Sequence, residues 1–279
     1  MMQVASLGAH TFGFIWSHDP AAAIDAIAAL GCDAVQLLAT PPHFDPWAED
    51  AGRTRALRAA LDRHGLKLLA LDLASSDINL ASPSADVTAF AVDAYLRAVR
   101  RAVELGSPAV CIGSGRRHAL FPDASARLMD GFRRAFAAVH ADAARHGVRL
   151  LLENHPQGML ASAGQIEDFL ARECYDDIDV IYDVANAFAI QEEPVAGFAR
   201  LAPRVAVVHL SDTPRGAWRH DPIGSGDIDF AAVAKILAQH RFAGPVVLEM
   251  IAPDPAGGIS DGLARLTELG WRFPFARGV

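Results

Sequence analysis

The sequence is poor in cysteine. Cys32, Cys111 and Cys174 are its three thiols, odd in number and widely spaced. That pattern supports neither a disulfide frame nor a zinc knuckle, and it reads as reduced thiols in a cytoplasmic protein. No apolar run approaches the length of a membrane span. The opening MMQVASLGAH lacks a basic segment followed by an apolar one, so no secretory signal is expected. Positive charge is also short: 25 Lys and Arg face 33 Asp and Glu, a formal net charge of −8, and the arginines are scattered through helical stretches. A nucleic-acid surface usually needs a basic stripe, so nucleic acid and membrane are both disfavoured as partners, whereas a small anionic substrate is not. No GxGxxG follows the first strand, which weakens a dinucleotide-binding open sheet. Linkers, low-complexity runs and sequence repeats are missing too, so residues 1–279 read as a single domain.

What is present is ordinary globular material, 52% hydrophobic and 21% charged over 279 residues, enough for one large α/β barrel or two smaller domains. Short apolar segments recur, each followed by a helical pattern. Strands are predicted at Val4–Gly8, Ala34–Ala39, Leu66–Leu71, Ala109–Gly113, from Arg149 toward Pro156, and at Asp179–Asp183, Arg204–Leu210 and Pro245–Met250. The helices predicted between them open at Asp19-Pro20, where Asp suits the N-cap and Pro the first turn. They continue at Ala48–His64, Ala85–Leu105, Ala124–His146, Ser162–Glu173, Pro194–Leu201, Phe230–His240 and Gly258–Leu269. Loops are expected at His10–His18, Ser75–Ser84 and Ser211–Gly226. Alternating strands and helices imply a parallel sheet, and eight such units in this length imply a closed (β/α)8 TIM barrel, with an open doubly wound sheet as the alternative.

A barrel places its chemistry at the C-terminal ends of the strands. Glu153, Asp183, His209 and Glu249 end four consecutive strands. Two residues before each stands Leu151, Ile181, Val207 or Val247, which by strand parity fills the barrel interior beneath it. Alone, an Asp at a strand end is commonly a cap and a His a satisfied polar group. Four in register read as a metal site instead. Three carboxylates and an imidazole suit one divalent ion, Mn²⁺ first, with Mg²⁺, Co²⁺ or Zn²⁺ as alternatives. A metal-bound hydroxy-ketone has an acidified C–H, and Glu153 and Glu249 on opposite sides could remove and return that proton.

The segments LLENHP (Leu151–Pro156), IYDVANAF (Ile181–Phe188), VVHLSDT (Val207–Thr213), HDPIGSGDIDF (His220–Phe230) and VVLEM (Val246–Met250) resemble the xylose isomerase-like TIM barrels, the sugar phosphate isomerases and epimerases. The resemblance implies metal ligation by Glu153, Asp183, His209 and Glu249, and proton transfer by Glu153 and Glu249 as in the ketose 3-epimerases. Three positions depart from relatives. Asn186 stands where a His commonly follows the Asp ligand, and an Asn can bind a hydroxyl but not relay a proton. Trp218 replaces the Asp of the Asp-x-His motif of endonuclease IV, while His220 remains. His155 gives Glu-x-His on strand five, similar to dehydratases of inosose or dehydroshikimate, where it is a candidate base. Here it serves either in that way or as a hydrogen-bonding residue behind the site.

Around the predicted mouth, His10, Phe12, Phe14 and Trp16 either stack on a sugar face or plug the barrel end. Gln36 and Asp72 either contact sugar hydroxyls or cap loops. Arg215, Arg219 and His220 are the nearest candidates for an anionic group on the substrate, with Arg215 better read as solvated. Gly224-Ser225-Gly226 reads as a turn, with Asp227 or Asp229 capping the next helix. The expectation is a metal-dependent isomerase or epimerase of a ketose or keto-sugar. The alternatives are a lyase that dehydrates a keto-cyclitol or dehydroshikimate-like substrate, and a non-catalytic sugar-binding subunit. The partner expected is a small sugar or cyclitol. A homo-oligomer is compatible with apolar helices such as Ala21–Leu30, which a barrel half-buries in any case.

Overall fold

The computed structural model describes residues 2–48, 50–73, 78–118 and 125–274, apart from the side chains of 125 and 126. The predicted starts at Ser75 and Ala124 lie outside these residues. Strands β1 (Leu7–His10), β2 (Ala34–Leu38), β3 (Lys67–Asp72), β4 (Ala109–Gly113), β5 (Arg149–Glu153), β6 (Asp179–Asp183), β7 (Val205–Leu210) and β8 (Val246–Leu248) pair in chain order, and β8 pairs back on β1 to close a parallel barrel. Around it run α1 (Pro20–Ala29), α2 (Ala51–His64), α3 (Ala85–Leu105), α4 (Ser125–Arg145), α5 (Ala163–Arg172), α6 (Val184–Ala189), α7 (Pro194–Leu201), α8 (Phe230–Gln239) and α9 (Pro255–Glu268). None of the described helices is long and apolar enough to cross a membrane.

Two hydrophobic populations follow from strand parity. Residues pointing outward, such as Val110, Leu150, Leu152, Val180 and Val208, join the helices in the large core. The smaller cluster inside the barrel holds Ala70, Ala109, Cys111, Leu151, Ile181, Val207 and Val247. Leu151, Ile181, Val207 and Val247 therefore lie where the sequence puts them. Gly8 is required on the same inner face, because a Cβ there would press on Val247 and Leu69. The register skips Leu69 between β2 and β3, and Ala206 between β6 and β7. Both skipped residues pack against the inner cluster, so each bulge adds apolar volume low in the barrel.

Local signals explain most helix ends. Asp19 accepts from the N–H groups of Ala21 and Ala22 to start α1. Ser162 and Gln165 form a reciprocal capping box at α5. Gly65 and Gly106 end α2 and α3 with φ of 64° and 73°, a conformation that suits glycine.

Several boundaries differ from the sequence expectation. The first barrel strand is Leu7–His10, not Val4–Gly8. Met2–Gln3 instead pairs with Trp271–Arg272 in a separate two-stranded ladder that Val4 N extends to Arg272 O. The loop from His10 contains a 3-10 turn at Thr11–Phe14. Helix α2 begins at Ala51 because Asp50 caps it, and α9 begins at Pro255 because Asp254 caps it. Helix α6 was not foreseen. Asp183 ends β6 and caps α6 at once, so no turn residues intervene.

Candidate active site

The ends of β5 to β8 converge on one imidazole. His209 Nδ1 lies 2.9 Å from Glu249 Oε2, 3.3 Å from Glu153 Oε1 and 3.8 Å from Asp183 Oδ2. The four offer ligand atoms that all lie within 4.8 Å of one another, and all four residues are buried. Strand stagger brings them level: Glu153 pairs with Ile181, Asp183 with His209, and His209 with Val247, so the acid donor steps up as the tilted strands progress. Glu249 lies just past β8, yet its N–H still donates to Leu210 O and keeps it facing inward.

Electrostatics in this cluster are crowded. Burial pushes the Glu153 carboxyl up to about 7 against the pull of His209. Burial likewise raises Asp183, opposed chiefly by His220. Burial also acts on Glu249, but His209 and His10 prevail and hold it well below the usual carboxylate range. For His209, burial favours the neutral ring, while Glu249 and Glu153 outweigh it and push the imidazole well above its ordinary range. Asp183 Oδ1 accepts from Asn186 N, whereas Asp183 Oδ2 is buried without a hydrogen-bond partner. An orphaned carboxylate oxygen beside two more carboxylates and an imidazole fits a divalent ion.

Behind His209, its Nε2 lies 2.9 Å from Gln36 Oε1. An Nε2–H donated to Gln36 leaves Nδ1 to face the carboxylates, which fixes the ring for ligation. Gln36 is fully buried and supports the imidazole; it does not line the open cavity. On the other flank, His10 Nδ1 accepts from Phe12 N at 2.9 Å, which puts the ring proton on Nε2, 3.0 Å from Asp72 Oδ2. His10 therefore orients Asp72. Cys111, inside the barrel, reaches Glu153 Oε2 at 3.6 Å. Burial, with Asp72 and Glu153 beside it, holds this thiol well above its usual range.

The loops above are tied down by asparagines and aspartates. Asn154 Nδ2 donates to Asp183 O and Asn154 Oδ1 accepts from Asp183 N, a clamp between the ends of β5 and β6. Asn186 Nδ2 donates to Asn154 O, and Trp218 Nε1 donates to Asn186 Oδ1 at 2.8 Å. After β7, Asp212 accepts from the N–H groups of Thr213, Gly224 and Ile228. The glycine turn at 224–226 therefore has its first N–H engaged inside the protein. Asp229 caps α8, and Asp227 instead accepts from Arg215 N. Asn154 and Asp212 escaped the sequence reading; their only signal was position, each next to a residue already singled out or inside a quoted segment.

These elements enclose a cavity of about 290 Å³. Its polar floor is Asp72, Glu153 and Glu249, with His155, His220 and Asn186 at the side and Arg219 at the rim. The apolar wall is Phe12, Leu38, Leu73, Trp218 and Ile251. His155 is two residues past the end of β5, yet it enters the cavity. Its Nδ1 is 3.3 Å from Gln157 N, and its ring meets Trp218 edge-on. Burial, with His220 and Arg116 nearby, lowers it to about 4. His220 Nδ1 sits 3.0 Å from Ser211 Oγ and 3.9 Å from both Asp183 and Glu249. Burial would neutralise His220, but Asp183 and Glu249 raise it on balance. Arg219 is engaged by Asp221 at 2.8 Å. Trp16 does not line the cavity and is 84% exposed. The 3-10 turn after His10 buries Phe14 and turns Trp16 outward.

A family model for the xylose isomerase-like TIM barrel matches residues 24–269. The L-ribulose-5-phosphate 3-epimerase UlaE of Escherichia coli is 32% identical over 85 residues, which is 28% of this chain and 28% of that protein. The match thus spans under a third of that relative's length. Among solved structures, a D-tagatose 3-epimerase-like protein superposes with a TM-score of 0.78 at 19% identity, covering 94% of this chain and 98% of the other. The probable 3-DHS dehydratase AsbF of Bacillus anthracis superposes equally, with a TM-score of 0.78 at 14% identity over 94% and 98% of the two chains. At these identities the two structures speak to the fold.

Proposed function

The chain belongs to the xylose isomerase-like TIM barrel family, and on that footing we propose that it is a divalent-metal-dependent isomerase or epimerase acting beside the carbonyl of a ketose or keto-sugar. One observation carries the reading. Glu153 and Glu249 approach the same His209 nitrogen, at 3.3 and 2.9 Å, and both open into the same cavity. Glu153, Asp183, His209 and Glu249 would hold the ion, Mn²⁺ first, with Mg²⁺, Co²⁺ or Zn²⁺ able to replace it. When bound, such an ion polarises a carbonyl oxygen and so acidifies the neighbouring C–H.

The chain's residues supply the rest. One carboxylate takes the proton from the carbon beside the carbonyl. If the other carboxyl group, protonated at the outset, delivers its own proton to the opposite face of that carbon, the product is an epimer and the two groups have exchanged protonation states. If the abstracted proton goes back to the former carbonyl carbon, with a hydroxyl proton moving to balance it, the product is an aldose–ketose isomer. Gln36 holds His209 in place and His10 holds Asp72, which would accept from a substrate hydroxyl. The wall of Phe12, Leu38, Leu73 and Trp218 limits water at the reacting carbon.

Elimination of water is the second reading. It is favoured by the entry of His155 into the cavity and by the likeness to a dehydratase fold. The contact of His155 Nδ1 with Gln157 N weakens it, because an accepting Nδ1 leaves the proton on Nε2, where a base needs a lone pair. The test is incubation with a panel of ketoses and keto-cyclitols, plus Mn²⁺, in deuterated water. Products of unchanged composition with one deuterium gained at carbon support the proposal. Loss of water from the substrate supports the second reading, and the absence of both overturns each.

A further inference from the structure

Trp218 and Asn186 meet at the side of the cavity. The Asn186 amide donates to Asn154 O at 2.9 Å, so its oxygen must turn the other way, to the indole N–H at 2.8 Å. That bond uses the polar edge of the Trp218 ring. What borders the cavity is therefore the carbon surface of the indole, and Trp218 is 38% exposed. The His155 and Trp218 rings form a T-shaped pair, 82° from parallel with centroids 4.7 Å apart, which gives the indole a second contact. Phe12, Leu38, Leu73 and Ile251 extend the apolar lining, while Glu153, Glu249 and Asp72 make the floor. A molecule that fills this space must place oxygens at the floor and carbon–hydrogen surface against the wall.

We propose that Trp218, positioned by Asn186, is a stacking platform for the C–H face of a ring, and that the substrate is a six-membered ring bearing a carbonyl beside a hydroxyl, not an open-chain ketose. The inference rests on the reading of the floor as the reaction centre. A saturated six-membered polyol gathers C–H bonds on its faces and hydroxyls on its rim, so one face packs on an indole while the rim reaches the carboxylates. An open chain intersperses the two and gains little from a flat platform. Asn186 is a positioning residue, since it acts on the substrate through the indole.

The test compares binding of an inosose with binding of erythrulose, a ketose too short to close a six-membered ring, to the Mg²⁺-loaded protein by calorimetry. Trp218→Ala is expected to weaken inosose binding about tenfold and to leave erythrulose within about twofold, so the ring preference collapses. Trp218→Phe, which keeps a ring but loses the N–H, and Asn186→Ala should each give a smaller loss. Their double variant should be no worse than the worse single, because both remove one bond. Thermal melting checks that each variant is folded. The inference is overturned if wild-type protein fails to bind the inosose, if Trp218→Ala weakens both probes alike, or if it weakens neither. Inosose bound at Trp218 without C–H exchange under Mn²⁺ would leave the platform standing and remove the reaction reading. Exchange indifferent to Trp218→Ala would do the reverse.

Discussion

Gln36 and His209 are 173 positions apart in the chain and 2.9 Å apart in space. No spacing rule in a sequence reports such a contact, which is why Gln36 read as a residue for either sugar hydroxyls or a loop cap. Glu153, Asp183, His209 and Glu249 were legible for the opposite reason. Each ends an apolar strand, and a period of two assigns its face without tertiary knowledge. At this scale two predictions follow from the geometry. Glu153→Gln and Glu249→Gln keep size and hydrogen bonding but lose the base, and each should lower turnover by roughly 10²–10⁴-fold with little change in melting temperature. Steady-state kinetics and a thermal melt check both parts. Gln36→Leu should keep the fold yet weaken metal binding by about 10–100-fold, as expected when an imidazole ligand loses its outer partner. Calorimetric titration with Mn²⁺ reads that loss directly.

Between strands and helices, the informative joint is β6 to α6. Asp183 closes a strand, caps a helix through Oδ1 and presents Oδ2 to the site. A residue with three roles leaves no loop to mark the boundary, so α6 could not be read from turn chemistry. The first strand was misplaced for a related reason. Val4 is buried and alternates with its neighbours, yet it serves the ladder with Trp271–Arg272 and not the barrel. Asn154 joins β5 to β6 through both backbone groups of Asp183. Asn154→Ala should cost roughly 1–3 kcal/mol, because it leaves a buried N–H and C=O without partners. Denaturant unfolding measures it, and a loss confined to experimental error would contradict the clamp.

At the scale of the whole molecule, eight strand–helix units were legible because Gly stops, Asp caps and apolar runs are local signals. The inner cluster of Leu151, Ile181, Val207 and Val247 followed from them. Bulges at Leu69 and Ala206 did not, since a skipped residue leaves no mark on composition. Global stability should also depend on pH through His43, which is 1% exposed and lowered by burial to about 4. Its ordinary value is 6.5. The unfolded chain therefore binds the proton first as pH falls, and stability drops between about 6.5 and 4, by at most about 3.4 kcal/mol, then levels below that range. His43→Gln should flatten that segment in unfolding curves taken at pH 7 and pH 5. The central claim, however, is that four strands build one cation site. Its most direct test is titration of metal-stripped protein with Mn²⁺, comparing wild type with Asp183→Asn. The account predicts one ion bound per chain and a drop in affinity of at least about 100-fold in the variant, because loss of a ligand itself costs more than the roughly 10–100-fold of losing a ligand's outer partner. Absence of stoichiometric binding to the wild type, or equal affinity in the two proteins, would contradict it.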